Sequence, residues 1–279
     1  MPMPSPEPLL RLGVFGLTLF VLMTFELFAP RRPLSIGRAQ RWPSNLGIVL
    51  VDTLVVRILF PSAAVGWALL VQARGWGLLT QLALPSVAEF GIAFVALDLV
   101  IYGQHVLFHS VPLLWRLHRV HHADLDFDVT TGVRFHPIEI LVSMLIKFAA
   151  VAVLGAPVIA VMAFEIILNA ATMFNHANVA LPAGADRILR RMVVTPDMHR
   201  VHHSILAHET HSNFGFNFPW WDRLFGTYRA QPEAGHGAIT IGLPVFRDAS
   251  ELRLDRMLLQ PLRDGREGRV DHAGIKHEA

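Results

Sequence analysis

Apolar residues gather into long runs along this chain, separated by short polar stretches with little periodicity of their own. The first run, Leu9 to about Phe28, has the length of a membrane-crossing helix, with Arg11 and Glu26 near its ends as snorkelling flanks. It runs on into Ala29-Pro30-Arg31-Arg32 with no small-residue cleavage site, so it is expected to be retained. The second run, Leu46 to about Val71, carries Asp52 and Arg57 and is a weaker span, which Pro61 is expected to kink. A third run extends from Leu82 to about Phe108. From Ile138 to Phe174 the apolar pattern is broken at Gly155-Ala156-Pro157, which predicts two spans folded as a hairpin.

This pattern predicts an all-α fold: an integral-membrane helical bundle with a cytoplasmic helical cap. Residues 1–262 are read as one membrane-embedded domain. Its membrane runs are 9–28, 46–71, 82–108 and 138–174, its cap is 109–137 with 175–262, and residues 263–279 form a mobile tail. No repeat of the solenoid kind is present.

Composition agrees with the bilayer: 53% of residues are hydrophobic, 16% are charged and mean hydropathy is +0.43. The chain has no cysteine, which excludes disulfides, thiolate nucleophiles and iron–sulfur clusters, so any metal must use nitrogen or oxygen ligands. A net charge of +2 is too small to suggest nucleic-acid binding. Arginines cluster at Arg31, Arg32, Arg38 and Arg41, and recur at Arg116, Arg119, Arg134, Arg187, Arg190, Arg191, Arg200 and Arg223. Under the positive-inside rule all face the cytoplasm, together with the C-terminus.

The 15 histidines are placed with discipline. His118-Arg119-Val120-His121-His122 and His199-Arg200-Val201-His202-His203 are the same five-residue string, and His105 and His109 precede them at helical i, i+4 spacing. On a helix, positions i, i+3 and i+4 lie on one side, so each triplet is expected to converge on one point. Eight histidines exceed what one ion can use, so two metal ions are expected. Imidazole alone does not select between zinc, copper, iron and nickel. His176, beside Asn175 and Asn178, is a ninth candidate ligand; His136, before Pro137 and Glu139, is a ligand or a helix-starting residue. Asp98, Tyr102, Asn178 and Asp222 are candidates for orienting the imidazoles. Glu165, an acid inside the hairpin, either lines a substrate passage or pairs with a neighbouring helix. His208, His211, His236, His272 and His277 lie in polar surroundings and read as surface residues.

These motifs resemble the fatty acid hydroxylase/sterol desaturase superfamily. The features that carry the resemblance are His105-x3-His109, His118-x2-His121-His122, Arg134-x-His136-Pro137, Phe174-x-His176-x-Asn178 and Thr195-Pro196-x2-His199-x2-His202-His203. Asn213-Phe214-Gly215 and Trp221-Asp222-x2-Phe225-Gly226-Thr227 extend it to about residue 228, and Arg41-Trp42-x2-Asn45 matches ahead of the second membrane segment. The resemblance implies two iron ions, O₂ as co-substrate, a lipid substrate and hydroxylation or desaturation of an unactivated C–H position. It also implies a separate electron donor, ferredoxin- or cytochrome b5-like with a reductase, for which Arg187, Arg190 and Arg191 are candidate docking residues. Two other classes remain open from the residues alone: a lipid-acting di-zinc hydrolase and a membrane metal transporter.

Overall fold

The computed structural model describes residues 7–264. Most of the tail expected from residue 263, with His272 and His277, lies outside the described residues. The apolar runs are helices: α1 spans Glu7–Phe28, α2 Arg38–Leu59, α3 Ala63–Arg74, α4 Ser86–Ser110, α5 Pro112–His122, α6 Pro137–Leu154 and α7 Val158–Asn175. Shorter helices follow, among them α8 at Ala183–Leu189 and α9 at Pro196–His202. Among the described residues there is no strand, only the isolated bridges Pro30 with Val179 and Ser204 with Ile241. Five stretches among the described residues are long and apolar enough to cross a membrane: α1, Arg38–Gln81, α4, α6 and α7.

Local sequence explains where these helices begin and end. Proline occupies the first turn of α5, α6 and α9, where its missing N–H costs nothing and its fixed φ suits the helix. The predicted hairpin forms at Gly155, whose φ of 67° ends α6, and Pro157 then caps α7. Gly155 also packs against Gly77, where an added Cβ would lie 2.0 Å from the Gly155 nitrogen. Pro61 acts differently from the kink expected: α2 ends at Leu59 and a new helix starts at Ala63, so the proline separates two helices.

The membrane-length helices meet in a core where α3 supplies Ala64, Ala68 and Val71, α4 supplies Ala93, Phe94, Leu97 and Ile101, and α6 and α7 supply Met144, Val151, Ala160, Val161 and Phe164. Small residues four apart on α3 let neighbouring backbones approach, the usual device where lipid removes the hydrophobic drive between helices. The opposite surfaces carry exposed Leu9, Phe20, Phe25, Leu54, Ile58 and Val153, as a lipid-facing surface requires.

Several charged residues are placed where hydropathy alone does not put them. Glu26 is no snorkelling flank: it is 1% exposed and accepts hydrogen bonds from the backbone nitrogens of Val129 and Asn178 at 2.7 and 2.8 Å. Arg41, Arg134 and Arg200, counted above as cytoplasm-facing charge, are fully buried. Arg41 grips Asp124 in a fork of 2.7 and 2.8 Å and reaches Asp128 at 2.6 Å. Asn45 donates to Asp124 and Thr130 and accepts from Arg134 at 3.0 Å, closing a knot between α2 and the loop after α5. Internal pairing fixes these arginines, so their positions say nothing about membrane sidedness.

Candidate metal centre

α5 and α9 each present their histidine triplet to the same region of the bundle, and α4 brings His105 and His109 there in its last two turns. Nine buried histidines fall into two groups. Group A is His105, His109, His118, His122 and His202, and group B is His121, His176, His199 and His203; in each, one nitrogen per ring lies within 4.8 Å of all the others. The triplets therefore do not each converge on one point as expected. Every i, i+4 pair stays together, 105/109 and 118/122 in group A and 199/203 in group B, while the i+3 residues His121 and His202 cross to the opposite group. Helical rotation is the cause: at about 100° per residue, i and i+4 differ by about 40°, whereas i+3 and i+4 are about 100° apart.

The nitrogen geometry suits a cation. His176 Nε2 lies 3.1 Å from Nε2 of each of His121, His199 and His203, and His105 Nε2 lies 3.1 Å from His118 Nε2. With metal–nitrogen bonds of about 2.1 Å, neighbouring ligands sit about 3.0 Å apart at right angles and about 3.4 Å apart in a tetrahedron. Lone pairs so converged repel one another unless a positive ion lies among them. In group A, both ring nitrogens of His109 and His122, and Nε2 of His202, are buried without a hydrogen-bond partner, which is costly unless they bind something.

The far sides of five of the nine rings are held. Nδ1 of His105 donates to the carbonyl of Phe214 at 2.7 Å, His118 to Glu139 Oε1 at 2.6 Å and His121 to the carbonyl of Arg134 at 3.2 Å. His176 donates to the carbonyl of Thr172 at 2.7 Å and His202 to that of Ser212 at 2.6 Å. Each bond fixes the tautomer that leaves Nε2 free to ligate. Burial pushes His118 and His176 down to about 3 and, with neighbouring imidazoles, holds His121, His122, His199, His202 and His203 well below the ordinary histidine range. Neutral imidazole is the ligating form.

His136 lies outside both groups: its Nδ1 accepts from the Ile138 nitrogen at 3.2 Å, capping α6, and its Nε2 donates to the carbonyl of Leu258. None of the four candidate orienting residues bonds a ring nitrogen of the nine. Asp222 accepts from the backbone nitrogens of Phe214 and Gly215, so it steadies the carbonyl that holds His105. Tyr102 bonds Thr227, which donates to Asp222, while Asp98 accepts from Asn217 and Trp221. Asn178 ties the Arg32 backbone on both sides. His208 is exposed and pairs with Glu233, whereas His236 is buried between Asp197 and Arg200, unlike the surface residue expected. His211 is exposed with its ring 5.4 Å from that of His109. Of the candidate docking arginines, Arg187 and Arg191 are exposed, while Arg190 is buried on Asp186. Sequence reasoning missed Glu139 as the carboxylate on His118, and Asp124 as the centre of the Arg41 knot; their only signals were Pro137-x-Glu139 and the Asp124-x-Asp126-x-Asp128 alternation.

A cavity of about 260 Å³ opens beside group A. His105 and His118 form part of its wall, Ile101, Phe108, Met144, Leu168 and Phe216 make it largely apolar, and Asp52, Lys147 and Glu165 also reach it. Glu165 both lines this cavity and pairs with Lys147 at 2.6 Å and Arg11 at 2.8 Å.

Residues 90–227, which include all nine grouped histidines, match the family model for fatty acid hydroxylase. The chain belongs to the fatty acid hydroxylase family. Among its curated relatives is the ornithine lipid hydroxylase OlsE of Rhizobium tropici, 32% identical over 56% of this chain and 44% of that protein. Human alkylglycerol monooxygenase is 30% identical over 50% of this chain and 31% of its own length, and rat cholesterol 25-hydroxylase is 26% identical over 68% and 61%. The chain thus spans less than half the length of the first two relatives. No solved structure matches it.

Proposed function

We propose that this protein is a membrane-bound, iron-dependent oxygenase that oxidises an unactivated C–H bond of a lipid, with groups A and B as its two metal sites. One observation carries the reading: nine buried imidazoles sort into two ion-sized groups, one of which opens directly onto an apolar cavity among membrane-length helices. The nine histidines are the ligands, and the activities for which the relatives are named, hydroxylation and monooxygenation of lipids, favour iron over zinc. When bound, the metals supply O₂ activation. Hydroxylation then consumes one O₂, two electrons and two protons, places one oxygen atom in the C–H bond and releases the other as water; desaturation consumes the same, removes two hydrogens from the lipid and releases both oxygen atoms as water.

The chain's own residues supply the rest. Phe214, Ser212, Thr172 and Arg134 hold imidazole protons through their carbonyls, and Glu139 does so through its carboxylate. The apolar wall seats the lipid and keeps water from the reacting carbon. A separate electron donor approaches the cap, which lies on the cytoplasmic side in this reading, with exposed Arg187 and Arg191 as contacts. The transporter class fits poorly, because the histidines sit at helix ends and in the cap, away from the midplane of the spans.

The test is to purify the protein from iron-supplemented cells, measure its metals and follow O₂ uptake with a reductant and lipid extracts. Two irons per chain and a product heavier by one oxygen atom, or lighter by two hydrogens, are the expected outcome. Zinc-dependent hydrolysis of a lipid with no O₂ uptake would sink the reading.

A further inference from the structure

The cavity beside group A has a polar wall as well as an apolar one, and the two kinds of hydrogen-bonding atom on it are treated differently. Asp52 and Glu139 are 8% and 3% exposed, yet Asp52 Oδ1 and Glu139 Oε2 have no hydrogen-bond partner. Gln104 Oε1, on the same wall, is also buried and unpartnered. Neighbouring donors are already committed: Gln104 Nε2 to Ser143 at 2.8 Å, Lys147 to Glu165 at 2.6 Å and Asn169 Nδ2 to the carbonyl of Glu165 at 3.0 Å. The hydroxyls of Thr53 and Thr172 are spent on carbonyls of their own helices. A cavity whose buried, unpartnered side-chain atoms are all acceptors is matched to a ligand that brings donors.

We propose that this cavity docks the polar group of its lipid, one bearing hydroxyl or amine hydrogens, against Asp52 and Glu139. The proposal rests on the cavity being the substrate site of the reading above, and it adds which end of the lipid enters. Glu139 bonds His118 through one oxygen and offers the other to the cavity, so a donor on Glu139 Oε2 lies next to group A. The oxidised carbon therefore belongs to the part of the lipid close to its polar group, and the far end of the alkyl chain lies away from the metals. An unsubstituted hydrocarbon end in this place would leave two buried carboxyl oxygens, Asp52 Oδ1 and Glu139 Oε2, without a donor.

The experiment uses the metal-loaded protein in lipid nanodiscs with three probes of equal chain length: a hexadecyl glycerol ether with both hydroxyls free, its analogue with hydrogen in place of both hydroxyls, and an analogue with one amine. Equilibrium binding is expected to favour the hydroxyl lipid over the deoxy lipid by about tenfold, and the amine probe shows whether a charged donor serves as well as a neutral one. Asp52→Leu should bring the hydroxyl-to-deoxy ratio close to one, and Gln104→Leu, should Asp52→Leu fail to fold, should lower it in part. Where turnover occurs, mass spectrometric mapping should place the new oxygen or double bond near the polar group. Equal binding of the hydroxyl and deoxy lipids, an unchanged ratio in the folded variants, or oxidation at the far chain end would overturn the proposal. Hydroxyl-dependent binding without any O₂ uptake would sink the oxygenase reading and leave this subsite standing; oxidation of both lipids alike would do the reverse.

Discussion

Glu139 accepts a 2.6 Å hydrogen bond from Nδ1 of His118, at the junction between the metal group and the cavity. The carboxylate keeps the proton on Nδ1 and makes the opposite nitrogen a better donor to a metal. Removing it by Glu139→Ala should weaken metal binding by about 10- to 100-fold while the helices stay intact, because α6 keeps its proline and its His136 cap. Metal retention after competition with a chelator checks this, with circular dichroism as the control for folding.

His121 and His122 are adjacent in sequence but face different groups. His121→Ala should remove the group B metal and His122→Ala the group A metal, each leaving one ion per chain and abolishing oxidation. Elemental analysis combined with iron spectroscopy checks the outcome. Two neighbouring substitutions that deplete the same spectral component would contradict the division.

Asp124 is fully buried and held by Arg41, whose charge keeps its carboxyl well below the usual carboxylate range despite desolvation. Arg41→Met strands that carboxylate, a change that costs about 3–5 kcal/mol. A double variant with Asp124→Asn should recover part of the loss. Thermal unfolding in detergent measures both.

Acid should loosen the metal-free protein. Burial holds His118 and His176 near 3 when folded, against an ordinary value of 6.5, so between those limits the unfolded chain binds more protons. The stability contribution of these neutral imidazoles is complete above the unfolded value and is lost as pH falls towards the folded one. The midpoint of thermal unfolding should thus drop between about pH 7 and about pH 5, and bound metal should oppose the drop by competing with protons. A flat profile in the metal-free protein would show that the histidines are solvated.

Repeated spacing makes eight of the nine histidines legible without knowledge of the fold, His176 shows only through its neighbours Asn175 and Asn178, and Gly155-Ala156-Pro157 marks the hairpin because those residues punctuate helices in any context. The division into groups A and B is not legible, since it depends on the rotational phase of α5 against α9. The knot joining Arg41 to Asp124 spans 83 positions and reads from sequence as unrelated surface charge. Glu139 looks like a helix-start acid, and only packing of α6 against α4 and α5 brings it to His118.

Because each triplet serves both groups, the two sites share one reading frame. Inserting or deleting a single residue between His118 and His122, or between His199 and His203, would misplace ligands of both metals at once. A change of length in either helix thus disables both sites together, whereas replacing one side chain can empty one site alone.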